Sequence, residues 1–228
     1  NLRTRLTSCP ALQESARARY TLATALNSLV AFRLPTAVEP RNRIRNPLFN
    51  RTSSAVEPPN PALRQRLQRE SDSNNEALSI LKQLITEQPS SVAYRLALAE
   101  ATKDSARIAQ LSREWSQADE AIEAAIRLVD ELHQEFPESD RFKFDLAETL
   151  SAITSFRPSD LQRLMRSRQL CRELVEAHPQ TPEYRSLYAA TLARIAGIQV
   201  SQGKSDLAAS TLQEVLTQYS DRFKPGAF

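Results

Sequence analysis

Two histidines, His133 and His178, and two cysteines, Cys9 and Cys171, are the residues here best suited to proton transfer, nucleophilic attack or metal ligation. Their spacing argues against all three. The cysteines lie far apart, and neither belongs to a CxxC or Cys/His cluster. Cys171 falls on an apolar helical face, where cysteine acts as a small hydrophobe. His133 and His178 precede prolines by four residues and one residue. At such helix ends an imidazole can answer exposed carbonyls. The carboxylates are spread along solvated faces, as in "DELHQEFPESD". The presence of only 3 glycines speaks against a phosphate-cradling loop as well. No nucleophile–base pair emerges, so we expect a protein that is not an enzyme, with no cofactor and no metal.

Binding chemistry is better represented. Residues 1–70 carry 12 Lys+Arg, all arginine, against 4 Asp+Glu, whereas residues 71–228 carry 18 against 23. Between Pro35 and Pro61 stand 6 of the 13 prolines. A continuous helix is not compatible with that density. Arg41, Arg43, Arg45 and Arg51 make this stretch basic, interleaved with Ile44, Leu48 and Phe49. One reading is an arm gripping an acidic protein, nucleic acid or anionic lipid. The other is a solvated loop whose Leu48 and Phe49 fold back onto helices. Four arginines and one aromatic fall short of a nucleic-acid signature.

The elements around these residues are helical. Glycine scarcity and abundant Ala, Leu, Gln, Glu and Arg point to an all-α protein, and no window is apolar enough to span a bilayer. Three segments repeat one phrase: Ala77-x3-Leu81-x2-Leu84-x4-Pro89, Ala125-x3-Val129-x2-Leu132-x4-Pro137 and Ser167-x3-Cys171-x2-Leu174-x4-Pro179. The 4-3 spacing marks one helix face, and the proline ends the helix. Helices are therefore predicted to stop within about two residues of Pro89, Pro137 and Pro179, with Leu84, Leu132 and Leu174 buried.

Tyr94, Phe142 and Tyr184 follow those prolines by five residues, and Leu98-Ala99, Leu146-Ala147 and Tyr188-Ala189 come four residues later. Thr102, Leu150 and Leu192 complete each stripe. Leu22-Ala23 and Leu26 repeat the spacing with Ala18 in the aromatic slot, three residues further from their proline. Leu2 to Pro10 matches the end of a cut-off helix only in part, with Arg5 in the next apolar slot. Ser139, Thr181 followed by Pro182, and the Ser159/Gln162 box are expected caps. Asn60-Pro61 restarts the helix after the proline-rich stretch, with a break expected near Ser71–Asn75. Gly203 ends a helix and Ser205 caps the next, where Ala208-x3-Leu212-x2-Val215 repeats the buried spacing in a terminal, capping helix. Trp115 is expected to pack at a junction between helices.

These phrases resemble tetratricopeptide repeats, in which a helix A with a large residue beside Gly or Ala pairs with a helix B ending near a proline. Leu98-Ala99, Leu146-Ala147 and Tyr188-Ala189 match helix A. In the helix B phrase, Leu, Val or Cys replaces the family's Phe. The proline-to-proline intervals are 48 and 42 residues, against about 34 in that family. The 42-residue version with Pro-x4-Tyr-Arg is similar to repeats attached to bacterial serine/threonine kinases and sigma-factor regulators. The resemblance implies an α-α superhelix and a protein- or peptide-binding scaffold within a larger regulatory protein. The expected organisation is a truncated first repeat over 1–34, an insertion over 35–60 and helical repeats over 61–228. The start at Asn1 rather than Met is expected to mark a fragment or processed form.

Arg19, Arg95, Lys143 and Arg185 all stand three residues before the alanine-bearing pair. On stacked A helices, about 8–10 Å apart, such a column forms a basic ladder for an acidic peptide or terminal carboxylate. The family's own clamp uses Lys and Asn at other helix-A positions, absent here. In the alternative reading each side chain covers a helix seam and pairs with a carboxylate such as Glu100 or Glu148. A nucleic-acid or acidic-surface binder using the arginine-rich third is the rival function.

Overall fold

The computed structural model describes residues 16–33, 61–152 and 160–220, with side chains over 16–30, 61–152 and 160–216. The Pro/Arg-rich stretch with Arg41, Arg43, Arg45 and Phe49, the Leu2–Pro10 phrase, Cys9 and Ser159 lie outside the described residues. Among those described, all regular structure is helical: α1 (Ala16–Arg33), α2 (Pro61–Glu87), α3 (Val92–Ser112), α4 (Trp115–Glu135), α5 (Asp140–Ser151), α6 (Asp160–Ala177), α7 (Pro182–Ser201) and α8 (Ser205–Ser220). Odd-numbered helices hold the A phrase and even-numbered ones the B phrase.

α2, α4 and α6 each end two residues before their proline, at Glu87, Glu135 and Ala177. Leu84, Leu132 and Leu174 are all buried. Each proline occupies the second place of a tight turn. Ser91 N–H donates to Gln88 C=O at 3.1 Å, Ser139 to Phe136 at 3.0 Å and Thr181 to His178 at 3.1 Å. Proline's fixed φ suits that position, and the donor residue then becomes the extended N-cap of the next helix. Only Ser139 caps with its side chain, accepting from Phe142 N–H. Thr181 makes no such bond, and Pro182 removes one free N–H instead. Rings brace two of these turns. Phe136 packs on Phe142 with centroids 5.6 Å apart, and His178 meets Tyr184 edge-on at 5.9 Å.

Two compact units divide the chain, the boundary falling between Leu132 and His133 inside α4. In the first unit α2 packs against α1 and α3, and α1 also packs against α3. Leu22, Ala23 and Leu26 meet Ala77, Leu81, Ala97 and Ala101 there, and Val30, Leu67 and Ile108 form a second cluster. Burial of each such leucine contributes roughly 1.5–3 kcal/mol. α4 buries one stripe of Ala118, Ile122, Ala125, Ile126, Val129 and Leu132.

The predicted break near Ser71–Asn75 is not present: α2 runs unbroken for 27 residues. Its polar run stays helical because the buried members have partners. Asn74 donates to Ala101 C=O at 3.0 Å and to Ser105 Oγ at 2.7 Å, while Ser73 donates back to Arg69 C=O. Donors so satisfied carry little penalty inside a core, although Asn74 Oδ1 is buried without a hydrogen bond.

The second unit repeats the packing order, with α6 against α5 and α7, α5 against α7, and α8 against α7. Leu146, Ala147, Leu150, Tyr188 and Leu192 are buried as predicted. Ser167 sits where the other B helices carry Ala77 and Ala125, and its hydroxyl donates to Ala147 C=O at 2.7 Å. Arg194 donates to Ser151 C=O at 2.8 Å and closes the end of α5.

Several positions depart from the expected stripe. Leu98 and Ala189 are half-buried rather than buried. In α3 the core is filled by Ala97, Ala99 and Ala101, so backbones approach closely and Leu98 sits at the edge. Ser205 is the first residue of α8 instead of its cap. Leu212, expected to be buried, is 45% exposed because no described helix covers that side of α8.

Candidate interaction surface on the A helices

In the first unit the basic column begins with Arg19 on α1, bound in a fork by Glu87 from the last turn of α2. Its Nη1 and Nη2 donate to Oε1 and Oε2 at 2.7 and 2.6 Å. The hydrogen bonds raise the guanidinium pKa and lower that of the carboxylate. Next to Arg19, Tyr20 packs on Tyr94 of α3, their rings 5.1 Å apart and tilted by 45°. Arg95 follows Tyr94 directly and is half-buried. Two cationic positions thus flank one aromatic pair across two A helices.

The second unit builds the same arrangement from different residues. Lys143 on α5 pairs with Glu173 of α6 at 3.3 Å. Glu173 is held below the usual carboxylate range by its bond from Gln169 and then by Lys143. Phe144, next in sequence, packs on Tyr184 of α7 at 5.4 Å, and Arg185 follows Tyr184. His178 extends this cluster, with its Nε2 2.6 Å from Asp140 Oδ2 and its ring against Tyr184. Its imidazole therefore does not turn back to the carbonyls of α6, as its place near the helix end suggested. Asp140 at the start of α5 is the stronger acceptor.

The alternative reading of the column holds for Arg19 and Lys143 in kind, though not in partner. Both meet glutamates of B helices, Glu87 and Glu173, and not Glu100 of α3 or Glu148 of α5. Tyr20, Phe144, Glu87, Glu173 and Asp140 went unrecognised in the sequence. A signal for the aromatics was present. The ring follows the basic residue in Arg19-Tyr20 and Lys143-Phe144, then precedes it in Tyr94-Arg95 and Tyr184-Arg185. That alternation pairs neighbouring A helices.

Groups with chemical potential elsewhere are engaged in packing. Cys171 is a buried free thiol beside Ser167, and burial raises its pKa to about 11. A thiol so protonated is a poor nucleophile. Tyr188 donates to Glu214, which also accepts from Arg168 at 2.7 Å, tying α6, α7 and α8 together. Trp115 opens α4 and is half-buried. Among the described residues no group of three or more His, Cys, Asp and Glu is placed to hold a metal ion. No described helix is long and apolar enough to cross a membrane. The sequence matches no protein-family model and no curated protein.

Proposed function

We propose that this chain is a non-enzymatic scaffold of tetratricopeptide type, part of a larger bacterial regulatory protein, and that it binds an acidic polypeptide across its A helices. The observation that carries this reading is the recurrence, in both units, of an aromatic pair bridging consecutive A helices with cationic side chains beside it. Glu87 and Glu173 hold Arg19 and Lys143 in place, so little side-chain freedom remains to be lost on binding. The half-buried rings offer apolar area with low conformational entropy, the usual character of a binding hot spot.

Fluorescence anisotropy tests it. The probes are labelled acidic peptides containing one aromatic, the same peptides with Glu changed to Gln, and a single-stranded DNA of similar length. The acidic peptides should bind best, and Arg95→Ala with Arg185→Ala should weaken them about tenfold, the equivalent of about 1.4 kcal/mol. Preferential binding of DNA, falling by several decades between about 50 and about 200 mM salt, would instead favour the nucleic-acid reading.

A further inference from the structure

α8 carries a strip that the rest of the repeat plan would bury. Leu212 stands in the column of Leu81, Val129 and Cys171, each 0% exposed, yet Leu212 is 45% exposed and Leu216, one turn on, 62% exposed. In α2 and α6 a following A helix packs against the B helix, α3 and α7 respectively. Ser205, Ala209, Leu212 and Leu216 follow one another at 4-3-4 spacing and are all exposed. That spacing is the seam of a two-helix coiled coil. The neighbouring side of α8 faces its own unit through buried Ala208 and Thr211, the latter donating to Gln199 of α7 at 2.9 Å.

We propose that this strip is a self-association surface on which α8 of a second copy packs antiparallel about a two-fold axis. The distribution of side-chain size favours that occupant. The N-terminal half of the strip is small, Ser205 and Ala209, and the C-terminal half large, Leu212 and Leu216. An antiparallel two-fold axis lays the leucines of each copy over the small residues of the other, as an isologous contact requires. The strip is also without charge. Asp206 and Glu214 lie off it, and Glu214 is bound by Tyr188 and Arg168. No like charges are brought together when the strip meets its own copy.

Sedimentation equilibrium on the full chain decides the matter. The wild type should show a concentration-dependent dimer. Leu212→Glu and Ala209→Glu should each halve the mass at high concentration and leave the circular-dichroism signal unchanged. Ala209 is exposed and Glu is a good helix former, so the second variant decides if the first loses helicity. In a Cys9→Ser background, mixing Ser205→Cys with Leu216→Cys should give mixed disulfide dimers. A monomer at all concentrations, a dimer that survives Ala209→Glu, or cross-linking of Leu216→Cys only to itself would overturn the proposal.

Discussion

Asp104 on α3 is 5% exposed, with Arg107 at 3.2 Å and Glu100 and Lys103 on the adjacent turn. Burial outweighs the attraction of Arg107 and lifts its pKa to about 6, against 3.8 for a free aspartate. The folded state thus binds more protons than the unfolded one between those values. Stability should be greatest at the acid end of that window, fall as pH rises from about 4 to about 6, and stay level above. Asp104→Asn should remove this slope and, after allowance for the lost Arg107 pairing, raise stability at pH 7 by about 1–2 kcal/mol. Urea melts of both proteins at pH 5 and pH 7 measure it. Tyr188 presents the complementary case. It is 2% exposed, and burial, then Glu214, raises its pKa to about 12, so the phenol stays a donor. Tyr188→Phe should cost about 1 kcal/mol in the same melts by removing one bond from Glu214.

Two helices close by the same device at the scale of the element. At the end of α3, Arg113 takes a φ of +65°, and Arg113 and Glu114 N–H donate to Gln110 and Ala109 C=O. At the end of α7, Gly203 takes a φ of +74°, and Gly203 and Lys204 donate to Val200 and Gln199. These are Schellman closures. A Cβ added at Gly203 meets nothing within 4 Å, so Gly203→Ala tests backbone strain alone and should lower stability by about 1 kcal/mol. Arg113→Gly should be neutral or stabilising in thermal melts, because relief of strain offsets the added freedom of glycine. Gly203 was legible in the sequence as a helix end; the α3 end was legible only as a junction at Trp115, because arginine carries no such mark. The three proline turns were legible for the opposite reason, since proline fixes φ and withholds an N–H wherever it stands. The continuity of α2 was hidden. Whether Asn74 breaks a helix depends on Ala101 and Ser105, which lie 27 and 31 residues away in sequence and next to it in space.

For the whole molecule, each unit uses one order of packing, with an A helix against its B helix and against the next A helix. Leu146 is fully buried in the second unit. Leu146→Asp, an unpaired charge there, should cost more than about 4 kcal/mol and lose helical signal at 25 °C. The apolar columns of this plan were readable because periodicity of 3.6 reports burial directly. The candidate surface was readable in its cations and not in its carboxylates, since Glu87 and Glu173 reach Arg19 and Lys143 across 68 and 30 residues of sequence. The central claim is that polypeptide binds across the A helices. Amide-resonance mapping of the labelled chain during titration with an acidic, aromatic-containing peptide tests it most directly. Shifts should concentrate around Tyr20, Tyr94 and Arg95 and around Phe144, Tyr184 and Arg185. Shifts confined to the exposed faces of α2 and α6, with those residues unmoved, would contradict the account.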